Sequence, residues 1–386
     1  MKQARVLTRL AALLTLFISA CSQAPVGLEP QRRTAQNDAA LYATVTPGGL
    51  YVGSVSTSGA SSSALLEKFS RSGRQPWFRQ IAPRPGDDYA ELNAVEHDPR
   101  GNVYALYTSV RTVFGEEFDE RLETRFVRRY RPDGAVAWTR DVTALNPKAF
   151  DYDALGNLYF VVRPGGAFEL IKYSPTGARL FRRALGVANV WDFKVLPDGS
   201  SRLLDRSRLD AGRVYAFSAQ GTGLWAATFA GQAVELATSP DGAAFVVGYG
   251  ASADPLGNTN VQLAKYTAAG AAAWVRGASG GGYRNIGALA PDGAGGVLVG
   301  LSGEDRLGGP DDEDVFVRRF SAAGAQVWTK TFASAADDYL FDIAALGASE
   351  YYLVGTTTGD LGGRNRGGSD TFVLRLDGSG TQVWAR

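Results

Sequence analysis

From residue 39 onward the chain is a succession of short runs rich in Val, Leu, Phe, Tyr and Ala, separated by clusters of Gly, Asp, Asn, Pro and Ser. Runs of this kind bounded by turn residues read as strands. The stretch 234–276 shows the pattern clearly. It predicts four strands, Val234–Thr238, Ala244–Gly248, Val261–Tyr266 and Ala272–Arg276. The turn between the first two strands carries strong punctuation wherever the pattern returns: DPRGN, DALGN, LPDGS, SPDGA, PDGAG. Gly supplies the positive φ, and Asp or Asn bonds its own backbone.

The closing element of the pattern is a strand, a Gly turn and an aromatic residue. It recurs as FVRRYRPDGAVAW, LIKYSPTGARLF, VYAFSAQGTGLW, LAKYTAAGAAAW, FVRRFSAAGAQVW and FVLRLDGSGTQVW, with a looser copy, LLEKFSRSGRQPW. The anchor aromatics are Trp77, Trp138, Phe181, Trp225, Trp274, Trp328 and Trp384, at successive spacings of 61, 43, 44, 49, 54 and 56 residues. One four-stranded unit cannot cover both of its faces, whereas several packed around an axis can. The 348 residues from Ala39 to Arg386 give about fifty per unit, the size of a propeller blade. The expected fold is therefore all-β: a β-propeller of seven four-stranded blades. The weak third and fourth units leave six or eight open. In the third, Phe181 replaces Trp. The chain ends on a repeat-terminal strand, GTQVWAR. Either seven complete units abut, or this strand completes a blade begun near the N-terminus.

The start of the chain differs from this body. MKQARVLTRLAALLTLFISA has a basic beginning and an apolar run, Leu10 to Ile18, too short to span a bilayer comfortably. It ends in Ile18-Ser19-Ala20-Cys21, which resembles a bacterial lipobox. The resemblance implies cleavage before Cys21, a diacylglyceryl group on its sulfur, and a membrane partner reached through that lipid. The expected organisation is a signal peptide over 1–20, a lipidated Cys and flexible tether over 21–38, and a propeller domain over 39–386. Ser22, by analogy with enterobacterial sorting, favours the outer membrane or cell surface over the inner membrane.

Composition narrows the chemistry. Without the first twenty residues, 37 basic side chains face 39 acidic ones, which gives no electrostatic footprint for nucleic acid. The chain holds one Cys, one His and one Met. No internal disulfide and no Cys/His metal cluster can form. His97, beside a tight turn, is a poor candidate for a triad. No P-loop is present, since Gly280–Gly282 runs into Tyr283. No cofactor is expected. Calcium is conceivable over Asp305–Asp314, but that spacing fits no EF-hand.

The units W-x-R, a Gly/Asp-rich stretch, D-x-x-G-N-x-Y and D-x-F-V-x-R resemble the repeat of bacterial seven-bladed β-propeller (SBBP-type) surface proteins and lipoproteins across essentially all of 39–386. That resemblance implies a monomeric, non-enzymatic binding or scaffolding module. Its partner would be an envelope protein or glycan. Strand parity puts the short Gly turns on one face and the long, variable loops on the other. Long loops on a rigid scaffold form binding surfaces. The candidate binding face comprises Asp87, Asp88, Tyr89, Glu116, Glu117, Asp119, Asp311, Asp312, Asp337, Asp338 and Tyr339. Two alternatives stay open: an envelope glycan hydrolase or lyase using carboxylates in the axial funnel, and an outer-membrane assembly scaffold resembling quinone-type propeller lipoproteins. An enzyme requires a deep axial pocket with converging acids of perturbed pKa, and a scaffold a shallow face.

Overall fold

The computed structural model describes residues 37–58, 61–113, 120–208, 211–250, 261–277, 285–304 and 312–386. These form seven sheets, each of four consecutive antiparallel strands, arranged as the blades of a propeller. Strands are numbered β1 to β28 in chain order. The blades span residues 37–81, 89–141, 149–184, 192–230, 232–277, 285–332 and 338–385. Their innermost strands are β1 (Asn37–Thr46), β5 (Tyr89–His97), β9 (Ala149–Tyr152), β13 (Asp192–Val195), β17 (Gln232–Thr238), β21 (Asn285–Pro291) and β25 (Asp338–Ala345). The fifth blade realises the predicted strands almost residue for residue, as Gln232–Thr238, Ala244–Tyr249, Val261–Tyr266 and Ala272–Gly277.

Seven apolar clusters hold the ring, one between each pair of neighbouring blades. Phe245, Leu263 and Trp274 of the fifth blade pack on Leu289, Val299 and Phe316 of the sixth. Tyr352, Val354 and Val373 of the seventh pack on Leu50, Val52 and Phe69 of the first. Each such side chain, fully buried, contributes about 1.5–3 kcal/mol. Packing is tight enough that a Cβ on Gly300 would lie 2.1 Å from the Leu340 side chain of the next blade.

The repeat motifs are the joints of the ring. The anchor Trp residues lie at the outer strands of their blades, and all but Trp138 donate the indole N–H to a backbone carbonyl in the short turn of the next blade. Trp77 reaches Pro132 O (3.2 Å), Trp225 reaches Ala268 O (2.7 Å), Trp274 reaches Ala322 O (3.0 Å) and Trp328 reaches Gly378 O (3.1 Å). The turn glycine lies against the indole. At Gly324, with φ +78°, a Cβ would sit 2.8 Å from the Trp274 ring. The Arg of W-x-R donates to the carbonyl of that glycine, as in Arg79 to Gly134 O and Arg276 to Gly324 O, both 2.9 Å. Phe181 packs near Gly221 in the same way, with no N–H to donate. The D-x-x-G-N-x-Y motif is likewise a turn lock. Asp153 Oδ1 accepts the Leu155 and Asn157 amides, and its Oδ2 accepts the Asn157 side-chain amide (2.7 Å) and the Tyr159 hydroxyl (3.0 Å).

The closure left open by sequence is now settled. All four strands of the first blade come from residues 37–81 and all four of the seventh from 338–385, so no strand is exchanged. Side chains close the ring with the contacts used elsewhere. Trp384 donates to Arg71 O (3.0 Å) and Arg386 to Gly73 O (3.2 Å). In addition, Glu350 binds both Arg71 and Arg375.

Some stretches read as loops are strand. β6 (Val103–Val113) and β7 (Glu120–Tyr130) pair as far out as Val113 with Glu120, so much of 110–124 is an extended hairpin. The hairpin of β2 (Gly49–Ser58) and β3 (Ser61–Phe69) closes in the same way on Ser58 and Ser61. Sequence marked these as loops because charged and small residues mask strand alternation where both faces meet solvent.

Candidate functional site: the axial cavity

The seven inner strands surround a cavity of about 550 Å³ on the propeller axis. Their polar side chains form two tiers, set by distance from the turn that follows each strand. Glu96, Asp151 and Lys194 stand two residues before the turn openings Asp98, Asp153 and Leu196. Asp192, Glu235 and Asp342 stand four residues before Leu196, Ser239 and Leu346. The even offset puts both tiers on one side of the strand. Glu96, Asp192, Lys194, Glu235 and Asp342 line the cavity, together with Tyr42, Thr44, Asn93, His97, Lys148 and Trp191, and Asp151 is buried behind the wall near Glu96. Trp191 precedes β13, on the long-loop side, and is 51% exposed at the rim. Its indole N–H donates to Val234 O (2.6 Å), and the Arg206 guanidinium lies 4.1 Å from the ring centre.

Four of the five carboxylates are tied to the wall. Each accepts the backbone amide one register step along the next inner strand. Asp342 accepts Ala43 N (2.8 Å), Asp151 accepts Val195 N (2.5 Å) and Asp192 accepts Leu236 N (3.0 Å). Glu235 is bonded to the Leu289 backbone. Glu96 alone of the five has no hydrogen-bond partner among the described residues.

Crowding acids with one lysine in a desolvated channel shifts their titration. Burial, reinforced by Asp151, pushes Glu96 up to about 8. Burial raises Asp151 and Asp342 to about 6 each. Burial and the charge of Asp342 also push Glu235 well above the carboxylate range. Lys194 goes the other way from a buried lysine's habit. Asp192, 3.8 Å away, and the remaining acids hold it firmly protonated. His97 lines the same cavity, its Nδ1 hydrogen-bonded to Thr44 Oγ1. Burial lowers it to about 4, so it is neutral at pH 7.

The acids singled out from sequence lie elsewhere, and Asp87, Asp88, Asp337 and Asp338 have structural partners. Asp87 Oδ2 accepts the Ser109 hydroxyl (2.7 Å), and Asp88 Oδ2 accepts Thr112 N (2.6 Å). Tyr89 lies under the Arg121 guanidinium at 5.9 Å. Asp337 Oδ1 accepts Glu313 N (3.1 Å), which places it beside Asp312, and Asp338 is fully buried and accepts Ser334 N (2.5 Å). Tyr339 pairs with Thr356 in the sheet. The two Asp-Asp-Tyr runs are not equivalent. Tyr89 stands nine residues before its turn opening at Asp98, and Tyr339 seven before Leu346. Cys21, Glu116, Glu117, Asp119 and Asp311 lie outside the described residues, as does most of the stretch considered for calcium. The axial residues were not read as a site from sequence. Their signal was available, as polar residues at even offsets before each turn in strands otherwise apolar.

No family model matches the chain, and no curated protein matches it. Solved structures do resemble it. The Dos1 propeller is 10% identical over 83% of this chain and 92% of that one, with a TM-score of 0.50. A puromycin hydrolase is 14% identical over 95% of this chain, with a TM-score of 0.50. This chain spans 56% of the hydrolase. The β-propeller domain of the Trilobed protease from Pyrococcus furiosus is 8% identical over 74% of this chain, with a TM-score of 0.48. At such identities the likeness is one of fold: the chain is a seven-bladed β-propeller.

Proposed function

We propose that the chain is a lipid-anchored β-propeller of the bacterial cell envelope. It is held by a lipid on Cys21 at the outer membrane or cell surface. There it binds a protein or polysaccharide partner as a monomeric, non-enzymatic module. The basic, apolar and lipobox-like segments of residues 1–21 support the address. The observation that carries the binding role is the axial cavity, open past the exposed Trp191 and lined by four carboxyls, with Lys194 among them and Lys148 also in its lining. The partner is seated there rather than on the Asp-Asp-Tyr loops, whose acids are occupied in holding the scaffold.

The test is capture from intact envelopes with the tagged full chain, beside Asn93→Trp. Asn93 is exposed in the cavity lining, so the new indole covers the opening at the cost of the bond that Asn93 Oδ1 accepts from the Thr108 hydroxyl (2.7 Å), and an unchanged circular dichroism spectrum shows that the variant folds. Loss of the captured partner in this variant is the expected result. Equal capture by both proteins refutes the axial seat.

A second reading has one observation in its favour. Glu96 keeps its proton up to about pH 8 while Asp151 and Asp342 ionise near 6, the unlike pair that a glycan hydrolase or lyase requires. It stands second because only Glu96 is free of a backbone amide. Release of reducing ends from envelope polysaccharide by the wild type, abolished in Glu96→Gln, reverses that order.

A further inference from the structure

We infer that the axial cavity is a seat for an alkylammonium group, bound against Glu96 with Asp342 near it. This rests on the axial reading above and names the chemistry of the ligand.

The charge of the wall is the first argument. Four carboxyls from four blades line the channel, with Asp151 buried close to Glu96. The cation acting on Glu96 is Lys194, already engaged at 3.8 Å with Asp192, and Lys148 lines the cavity as an exposed residue before β9. Beside Glu96 an anion meets only carboxyls and an engaged lysine, whereas a second cation finds an open acceptor. The free carboxyl is the second argument. Glu96 lies in the channel with no protein donor, although its four companions each hold a backbone amide. An acceptor without a protein donor, in a channel wide enough for water, is completed by water or by a ligand that donates in its place. An ammonium offers three donors, and the tied carboxylates keep spare lone pairs to accept them. The entrance is the third. Trp191 presents an aromatic face at the rim, a surface that favours passage of an organic cation. Among the described residues no three His, Cys, Asp or Glu are grouped so as to hold a metal ion. The acids are spread around the wall, which suits an elongated organic cation.

Proton linkage gives this seat a signature. The titratable groups around Glu96 are Tyr42, His97, Asp151, Tyr152, Asp192, Lys194, Glu235 and Asp342, with Lys148 also in the cavity lining, and β21 brings Leu289, Ala290 and Pro291. At neutral pH Glu96 and Glu235 meet the excess negative charge by holding protons. A bound ammonium takes over that role, so binding expels protons and strengthens with pH.

The experiment is calorimetric titration of the full chain with 1,5-diaminopentane and, separately, with a capped lysine amide. The uncharged 1,5-pentanediol is the control. The expected result is one-to-one binding of an amine at pH 8, roughly tenfold or more weaker at pH 5.5 as the carboxyls protonate, and no binding of the diol. Diamine alone identifies a free polyamine-like ligand. The lysine amide alone identifies a lysine side chain of a protein partner. Binding of both identifies recognition of the ammonium itself. Glu96→Gln should weaken binding at least several-fold, with an unchanged circular dichroism spectrum showing that it folds. Silence of both amines at pH 8 overturns the inference, as does amine binding undiminished in Asn93→Trp. If the amines are silent while Asn93→Trp still loses the captured partner, the axial seat stands and only its ligand class has failed.

Discussion

Lys194→Met tests the axial electrostatics directly, because it removes the cation and keeps the length of the stem. At 3.8 Å and an effective dielectric near 20, the pair with Asp192 is worth about 4 kcal/mol. Lys194 retains 37% of its side-chain surface, which faces a cavity large enough for water, so screening reduces the net loss to about 1–3 kcal/mol. The loss depends on pH, and the sign can be worked out. Asp151, Asp342 and Glu96 have folded-state pKa values above their unfolded ones, so they leave stability intact below about pH 4 and erode it as pH rises through about 6 and then about 8. The lysine offsets that erosion only where they are ionised. Urea unfolding of wild type and Lys194→Met should therefore show the larger difference at pH 8 and a smaller one at pH 5, where the share owed to Asp151, Asp342 and Glu96 is lost. An equal loss at both values, or a larger one at pH 5, refutes the account in which Lys194 offsets those acids.

Other consequences can be read from the joints of the ring. Gly324→Ala forces a Cβ to 2.8 Å from the Trp274 ring at φ +78° and should cost about 2–4 kcal/mol, measured by urea midpoint. Trp225→Phe removes only the indole N–H bond to Ala268 O and some ring area, and should cost about 1–2 kcal/mol in the same assay. Glu350, drawn down to about 2 by Arg71, Tyr352 and Arg375 against the cost of burial, stabilises the closure above about pH 4.5 and loses that contribution as pH falls towards 2. Glu350→Gln should flatten this acid limb in a stability–pH profile. His97, neutral in the fold and lowered to about 4, stabilises above pH 6.5 and costs stability as pH falls from there towards 4. His97→Gln should remove that segment of the profile.

The fold was legible because its determinants are local and repeated. Anchor aromatic and turn glycine make contacts used around the whole ring, and the turn aspartate locks the turns of the second to sixth blades, so all of them recur in sequence at blade spacing. Blade closure was not legible, since abutting and exchanged strands bury the same side chains. The axial residues were hidden for a different reason. Glu96, Asp151, Lys194, Glu235 and Asp342 occupy two tiers but no common position in every blade. Alanines fill the matching places at Ala237, Ala290 and Ala344. A ligand seat on an axis breaks the symmetry of the repeat, and what departs from a repeat reads as noise until the strands are placed in register. The Asp-Asp-Tyr runs misled in the opposite way. They look like a shared motif, yet they stand two residues apart in the ring and serve different clamps.

Closure without a shared strand also bears on how such a chain can change over generations. Each blade is one unbroken stretch of sequence, and the seam between the last and the first is joined by the same tryptophan and arginine contacts as the other joints. A gene segment that is copied, lost or moved therefore carries a whole mechanical part with its own coupling at each end. The unit of inheritance coincides with the unit of assembly. Spacings between anchors from 43 to 61 residues have been accommodated by the connecting loops and by longer strands such as β6 and β7, while the tryptophan couplings recur around the ring.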